Sequence, residues 1–174
     1  MTWISVDIEA DGPIPGDYSM VWFGAVVVRT GFELIFEGKL APISEKYSPD
    51  ALAVAGLTRE DTLKFPDPRQ VMEEFRSWIF RVSKGKRVFF IADNNGFDWS
   101  FINWYFHHFL GENPFGHSSQ NLGSLYKGLV KDVFENFKHL RVTEHTHNPV
   151  DDARGNAEAL LFMKTQMGLK IALE

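Results

Sequence analysis

Residues 20–28 read Met-Val-Trp-Phe-Gly-Ala-Val-Val-Val, an almost unbroken apolar run rich in β-branched side chains. Such a run is a strand buried on both faces, which places it inside a sheet. The segment before it has a different pattern. In residues 3–9, Trp3, Ser5, Asp7 and Glu9 fall on one face, and Ile4, Val6 and Ile8 on the other. That alternation is a strand with carboxylates at its C-terminal end. Residues 10–18 hold Gly12, Pro13, Pro15 and Gly16 and form a loop between the two. Thr30-Gly31 supplies the next turn, and Phe32 to Leu40 returns as a third strand in a hairpin.

From there the period lengthens. Pro49 to Ala55 is a short helix, and Thr58 with Asp61 makes a capping box with Asp in the usual Glu position. Asp67-Pro68 is an N-cap followed by an N1 proline, after which Val71, Phe75, Trp78, Ile79 and Val82 share one helical face up to Gly85. Arg87 to Ala92 is a fourth strand, Asp93 to Gly96 a polar turn, and Phe97 to Leu110 a helix. Residues 118–122 form a fifth, short strand. Leu125, Leu129, Val133 and Phe137 recur every four residues, which predicts a helix. Asn148-Pro149 opens the last helix, with Ala153, Ala157, Leu160, Leu161 and Lys164 along one side and Gly168 past its end. The whole is an α/β chain: one mixed five-stranded sheet, antiparallel in its first three strands and parallel later, flanked by helices, in a single domain over residues 1–174.

Composition removes several classes of function. There is no cysteine, so disulfides and thiolate metal sites are excluded. No apolar run reaches the ~20 residues of a membrane helix, and Met-Thr-Trp-Ile-Ser-Val-Asp lacks the charge and apolar stretch of a secretory signal, so a cytoplasmic location is expected. The net charge of −5 argues against a broad electrostatic grip on nucleic acid, though it says little about one cleft.

The chemistry concentrates at three places. Asp7 and Glu9 stand two apart on a strand, so both carboxylates point the same way. Like charges side by side call for a cation, and hard divalent ions such as Mg²⁺ and Mn²⁺ prefer oxygen ligands; an isolated Asp-x-Glu is also commonly a solvated strand end. Asp11 continues the spacing, but the Gly-Pro loop breaks the strand there. Asp98 follows strand four, at the C-terminal edge where open α/β sheets bind ligands; the bland alternative is a first-turn acid favoured by the helix dipole. If strands one and four are parallel neighbours, Asp98 comes near Asp7 and Glu9. His147 and Asp152 flank the start of the last helix, where an imidazole titrating near neutrality suits a general base. Asp151 points about 100° away from Asp152 and serves the helix terminus. The other five histidines (His107, His108, His117, His139, His145) are read as surface residues.

In order, Asp7-x-Glu9 on strand one, Asp98 after strand four, and His147 with Asp152 five residues on, this pattern resembles the DEDDh 3′–5′ exonuclease superfamily along almost the whole chain. It is most similar to the small single-domain members such as RNase T, oligoribonuclease and the RNase AS-like exoribonucleases. Pro-Val-Asp-Asp-Ala-Arg-Gly-Asn-Ala-Glu-Ala-Leu and Phe-Asp-Trp-Ser-Phe-Ile-Asn-Trp-Tyr-Phe point to the last branch. Pro149 stands where an alanine is common, and Asp93 where a histidine is frequent.

The resemblance implies a ribonuclease H-like fold and two Mg²⁺ or Mn²⁺ ions. Asp7, Glu9 and Asp152 would hold one, Asp7 would bridge to the second, Asp98 would reach that one, and His147 would take a proton from water. It implies release of nucleoside 5′-monophosphates from a single-stranded 3′ end, RNA favoured over DNA. The alternatives are a DNA exonuclease of the proofreading type and a catalytically silent nuclease-like binding domain. It further implies a homodimer lending basic residues across to a neighbouring cleft, with Lys84, Lys86, Arg87, Lys127, Lys131, Lys138 and Arg141 as candidates.

Aromatic residues are 14% of the chain, and Phe97, Trp99, Phe101, Trp104, Tyr105, Phe106 and Phe109 crowd the second motif. Bases stack on such rings without sequence preference, yet one helix cannot turn every face to substrate. Phe97, Trp22 and Phe23 are the better-placed substrate candidates, and Ile8 and Ala10 sit beside the acids where a terminal nucleotide would come close.

Overall fold

The structure, a computed structural model, describes residues 1–173. Its elements run β1 (Thr2–Ala10), β2 (Met20–Val27), β3 (Ile35–Lys39), α1 (Pro49–Val54), α2 (Arg59–Thr62), α3 (Pro68–Ser83), β4 (Val88–Ala92), α4 (Asn95–Leu110), β5 (Ser119–Asn121), α5 (Leu122–Val130), a 3₁₀ turn (Lys138–Leu140) and α6 (Pro149–Gln166). The strands form one sheet in the order β3-β2-β1-β4-β5. β1 and β3 flank β2 antiparallel, whereas β4 pairs with β1 and β5 with β4 in parallel. This is the mixed sheet expected from the sequence. Among the described residues no helix is long and apolar enough to cross a membrane.

Strand alternation sorts side chains into two cores. Ile4, Val6, Ile8 and Ala10 of β1 pack with Phe23, Phe90 and the inward faces of α3 and α4. Trp3 of β1, with Val26 and Ile91, turns to the other side, against Leu122 and Tyr126 of α5 and Ala153, Ala157, Leu160 and Met163 of α6. The helix starts follow local chemistry. Asp67 accepts from the amides of Arg69 and Gln70 ahead of α3, Thr58 and Asp61 close the capping box of α2, and Asn148 accepts from Val150 ahead of α6.

Most boundaries fall within one residue of the sequence reading, and three differ by more. β3 begins at Ile35 rather than Phe32, because Gly31 and Phe32 are both left-handed and lengthen the turn. α4 begins two residues earlier, at Asn95. α5 stops at Val130, where Lys131 turns left-handed and its amide bonds back to Lys127. The four-residue spacing therefore breaks: Val133 is exposed while Phe137 is buried.

Candidate active site

β1 outruns β4. Their pairing ends at Ser5 opposite Ile91, so the last residues of β1 extend past the end of β4. The Ile8 amide is met by a carboxylate instead of a strand: it donates to Asp98 Oδ1 at 3.2 Å, from the first turn of α4. Asp98 is thereby fixed beside Asp7 and Glu9, whose side chains alternate to the α6 side of the sheet.

The last acid arrives with α6. Asp7 pairs across β1 and β2 with Gly24. A Cβ on Gly24 would overlap the Pro149 carbonyl and the Val150 amide, so only glycine lets the start of α6 lie on the sheet at this point. Asp152, in the first turns of α6, lands against Asp7 and Glu9, and oxygens of the three lie within 4.8 Å of one another. Burial and then the charges of Asp98, Asp152 and Glu9 hold the Asp7 carboxyl well above the usual carboxylate range, with Arg141 opposing them. Glu9 is pushed up to about 7 by burial and by Asp152. Asp98 is raised too, chiefly by burial. Asp98 Oδ2 and Asp152 Oδ2 are buried with no hydrogen-bond partner among the described residues. Crowded, buried carboxylates with orphaned oxygens are the donor set that a hard divalent cation satisfies, so the residues present fit such an ion.

His147 sits where the sequence placed it, just outside α6, exposed and left-handed at φ 58°. The imidazole on the acid is another one. His145 Nδ1 lies 2.7 Å from Asp152 Oδ1, which also accepts from the Thr146 amide at 3.2 Å. The ring of His145 meets that of His147 edge-on, centroids 4.4 Å apart. His145 thus has a partner that the surface reading did not give it. Asp151 turns aside to Thr146 Oγ1, as the helix geometry predicted.

Arg141 corrects one expectation. It was a candidate for lending charge to a neighbouring cleft, but its side chain is only 7% exposed. One guanidinium nitrogen bonds both Asp93 (3.1 Å) and Asn156 (2.5 Å), with the group over the Phe137 ring. It ties the turn before α4 to the middle of α6, and so ties the supports of Asp98 and Asp152 together. Asp93, one of the two departures noted in the sequence, is half of this ion pair.

The substrate candidates separate. Phe23 is fully buried, 4.8 Å from Phe75 and 5.6 Å from Phe36, and cannot reach a ligand in the cleft. Ile8 and Ala10 are buried with their side chains in the same core. Of the rings on α4, Phe101, Tyr105 and Phe106 are fully buried. Phe97 stays partly exposed with its ring edge-on to Phe101. Trp22 is also partly exposed and stands directly across from Glu9. Its Nε1 donates to Glu37 Oε1 at 2.9 Å, and Lys39 Nζ lies 4.6 Å from its ring centroid.

Residues 4–160 match the family model described as Exonuclease (RNase_T). The chain is 39% identical over 165 residues to the 3′-5′ DNA exonuclease Cap18 of Escherichia coli, covering 90% of this chain and 88% of the relative. The chain belongs to the DEDDh 3′–5′ exonuclease superfamily. Its fold is that of the nuclease domain of 3′hExo, a DEDDh member solved bound to rAMP, at TM-score 0.71 and 16% identity over 99% of this chain and 96% of that one. E. coli exonuclease I with a dT13 oligonucleotide superimposes at TM-score 0.76 and 15% identity over 96% of this chain, which spans only 42% of the length of that protein. The ribonuclease H-like architecture is therefore shown, and DEDDh exonucleases depend on divalent metal, which the carboxylate cluster here is built to meet.

Proposed function

We propose that this chain removes nucleoside 5′-monophosphates from single-stranded 3′ ends, with Asp7, Glu9 and Asp152 holding one Mg²⁺ or Mn²⁺ and Asp7 and Asp98 a second. The observation that carries the reading is the convergence of the Asp7, Glu9 and Asp152 carboxylates within 4.8 Å, with one oxygen of Asp152 and one of Asp98 left without a hydrogen-bond partner among the described residues. A pair of ions in such a site supplies charge neutralisation for the phosphodiester and a more acidic water.

The protein's own groups supply the rest. His147, open to solvent at the start of α6, takes the proton of the attacking water and passes it to buffer. Water oxygen joins phosphorus, the bond to the 3′ oxygen breaks, and that oxygen leaves with a proton taken from solvent. Asp98, anchored on the Ile8 amide, and Asp152, carried by α6, keep the acids in place as charge moves. Glu9, Trp22 and Lys39 make one row across β1, β2 and β3, because Glu9 pairs with Trp22 and Trp22 with Lys39. A terminal base stacking on Trp22 places its phosphate toward Glu9, and Lys39 attends the next phosphate. Phe97, one residue before Asp98, offers a second ring. Ile8 and Ala10 contribute backbone rather than side chain. The cysteine-free chain suits the reducing cytoplasm, and a homodimer using the basic candidates other than Arg141 completes the reading.

The sugar is carried as two readings. RNA rests on the motif resemblance to small exoribonucleases. DNA is favoured by the relative at 39% identity, which is named a DNA exonuclease. The 2′-hydroxyl is what distinguishes them. Matched RNA and DNA oligomers, labelled at either end and incubated with Mg²⁺ or Mn²⁺, decide both points. A ladder shortening from the 3′ end with 5′-monophosphate product is expected, and the faster sugar names the substrate. An inert protein, or shortening from the 5′ end, overturns the assignment, and undiminished turnover in His147→Ala removes that residue as the base.

A further inference from the structure

Asp152 belongs to two ligand groups. One is the all-oxygen set with Asp7 and Glu9. The other is His145, His147 and Asp152, whose donor atoms also lie within 4.8 Å of one another. The two sets differ in chemistry. Mg²⁺ demands oxygen and near-octahedral geometry, whereas two imidazoles and a carboxylate are a tetrahedral Zn²⁺ set with a fourth position open to water. We propose that His145, His147 and Asp152 bind Zn²⁺, and that this ion holds the exonuclease site off by withdrawing Asp152 and occupying His147. The inhibitory half rests on the function proposed above; the zinc site does not.

Three features support it. His145 Nδ1 is already 2.7 Å from Asp152 Oδ1, so these two donors need to part by only about 1 Å to share an ion. Asp152 Oδ2, on a side chain that is 1% exposed, has no partner among the described residues. His147 brings a donor atom within 4.8 Å of the other two, its ring against that of His145. Two ligands of one tetrahedral Zn²⁺ lie roughly 3.5 Å apart. Both imidazoles are exposed and lie outside α6, so the adjustment to that spacing falls on side chains rather than on the helix. For His145 to coordinate through Nδ1, its ring proton moves to Nε2, on the solvent side. Because Asp152 cannot serve both groups fully, Mg²⁺ in the carboxylate set and Zn²⁺ in the histidine set oppose each other.

The experiment is direct Zn²⁺ binding to the metal-free full-length protein, in competition with a chromophoric zinc indicator. Wild type, His145→Ala, His147→Ala and Asp7→Ala are compared after circular dichroism has shown each to be folded. Wild type is expected to take up one Zn²⁺, and each histidine variant to bind it at least about tenfold more weakly, the least that loss of even an outer-sphere partner costs. Asp7→Ala is expected to bind as wild type does. No uptake by wild type overturns the proposal, as does either histidine variant binding like wild type. Weakening in Asp7→Ala as large as in the histidine variants also overturns it, since the ion then sits among the carboxylates. Zn²⁺ inhibition of Mg²⁺-supported turnover is expected to weaken in His145→Ala by the same factor as binding. A protein that binds zinc through the histidines yet degrades nothing would refute the exonuclease reading and leave the zinc site standing.

Discussion

The two faces of β1 are built on opposite terms. On one, Ile4, Val6, Ile8 and Ala10 meet a continuous aromatic packing in which Phe75 touches Phe23, Phe36, Phe106 and Phe115. On the other, Asp7 and Glu9 face a helix whose sheet side carries small residues, Ala153 and Ala157, and whose first turn lies over Gly24. Large rings fill volume and stabilise. Small residues let a helix come close, and closeness forces like charges together. The aromatic face stabilises the fold, and the acidic face spends part of that stability on a site that is electrostatically unsatisfied without cations.

Single substitutions should separate these roles. Asp7→Asn is expected to lower kcat/KM by about 10³-fold or more, since metal-borne charge stabilisation is worth several kcal/mol. The same change relieves a carboxylate raised by burial and by its acidic neighbours, so the metal-free melting temperature should hold or rise. Phe75→Ala should do the reverse. It costs about 3–5 kcal/mol as a buried ring is lost, while the folded fraction keeps its turnover. Denaturant unfolding alongside single-turnover kinetics checks both. A large loss of stability in Asp7→Asn, or of intrinsic turnover in Phe75→Ala, would merge the two faces.

The hinge of the comparison is Gly24. Gly24→Ala places a methyl on the Pro149 carbonyl, and backbone there must yield. The expected cost is roughly 1–3 kcal/mol of stability, as for other overpacked sites. Asp152 rides on the same helical turns, so activity should fall by about 10- to 100-fold, in keeping with the cost of small misplacements. Gly38→Ala is the control, since it crowds Phe23 and Val71 on the aromatic face. It should lose stability and leave turnover per folded molecule intact.

What the sequence disclosed follows the same division. The alternation of β1, the caps of α2, α3 and α6 and the order of the acids are local signals, and each appears where the spacing put it. The missed features are long-range or depend on a single backbone angle. Arg141 finds Asp93 across 48 residues, which no periodicity records. His145 reaches Asp152 because the chain turns left-handed at His147, a conformation unusual for a residue other than glycine. Phe23 and Trp22 are neighbours in an apolar run, yet strand alternation buries one in the core and leaves the other opposite Glu9. The apolar spacing after α5 fails for the same kind of reason, a left-handed Lys131 that turns Val133 out to water.

The smallest expected effect tests the electrostatic half of the comparison. Without metal, Glu9 titrates at about 7 instead of 4.5, and Asp7 and Asp98 are raised as well. A carboxyl raised in the folded state binds protons that the unfolded chain has already released. Its contribution to stability is therefore fully present below the unfolded value and is lost as pH rises through the folded one. The metal-free melting temperature should accordingly fall between about pH 5 and about pH 8, and more shallowly in Glu9→Gln. Divalent ions compete with those same protons, so added Mg²⁺ or Mn²⁺ should raise the melting temperature more at the upper pH than at the lower. For a chain of this size each kcal/mol appears as about 2–4 °C, within reach of calorimetry. The difference between wild type and Glu9→Gln isolates this acid from every other group in the chain. Identical profiles for the two proteins would mean that Glu9 is as comfortable as an exposed acid, and the acidic face would then hold its charges without any call for a cation.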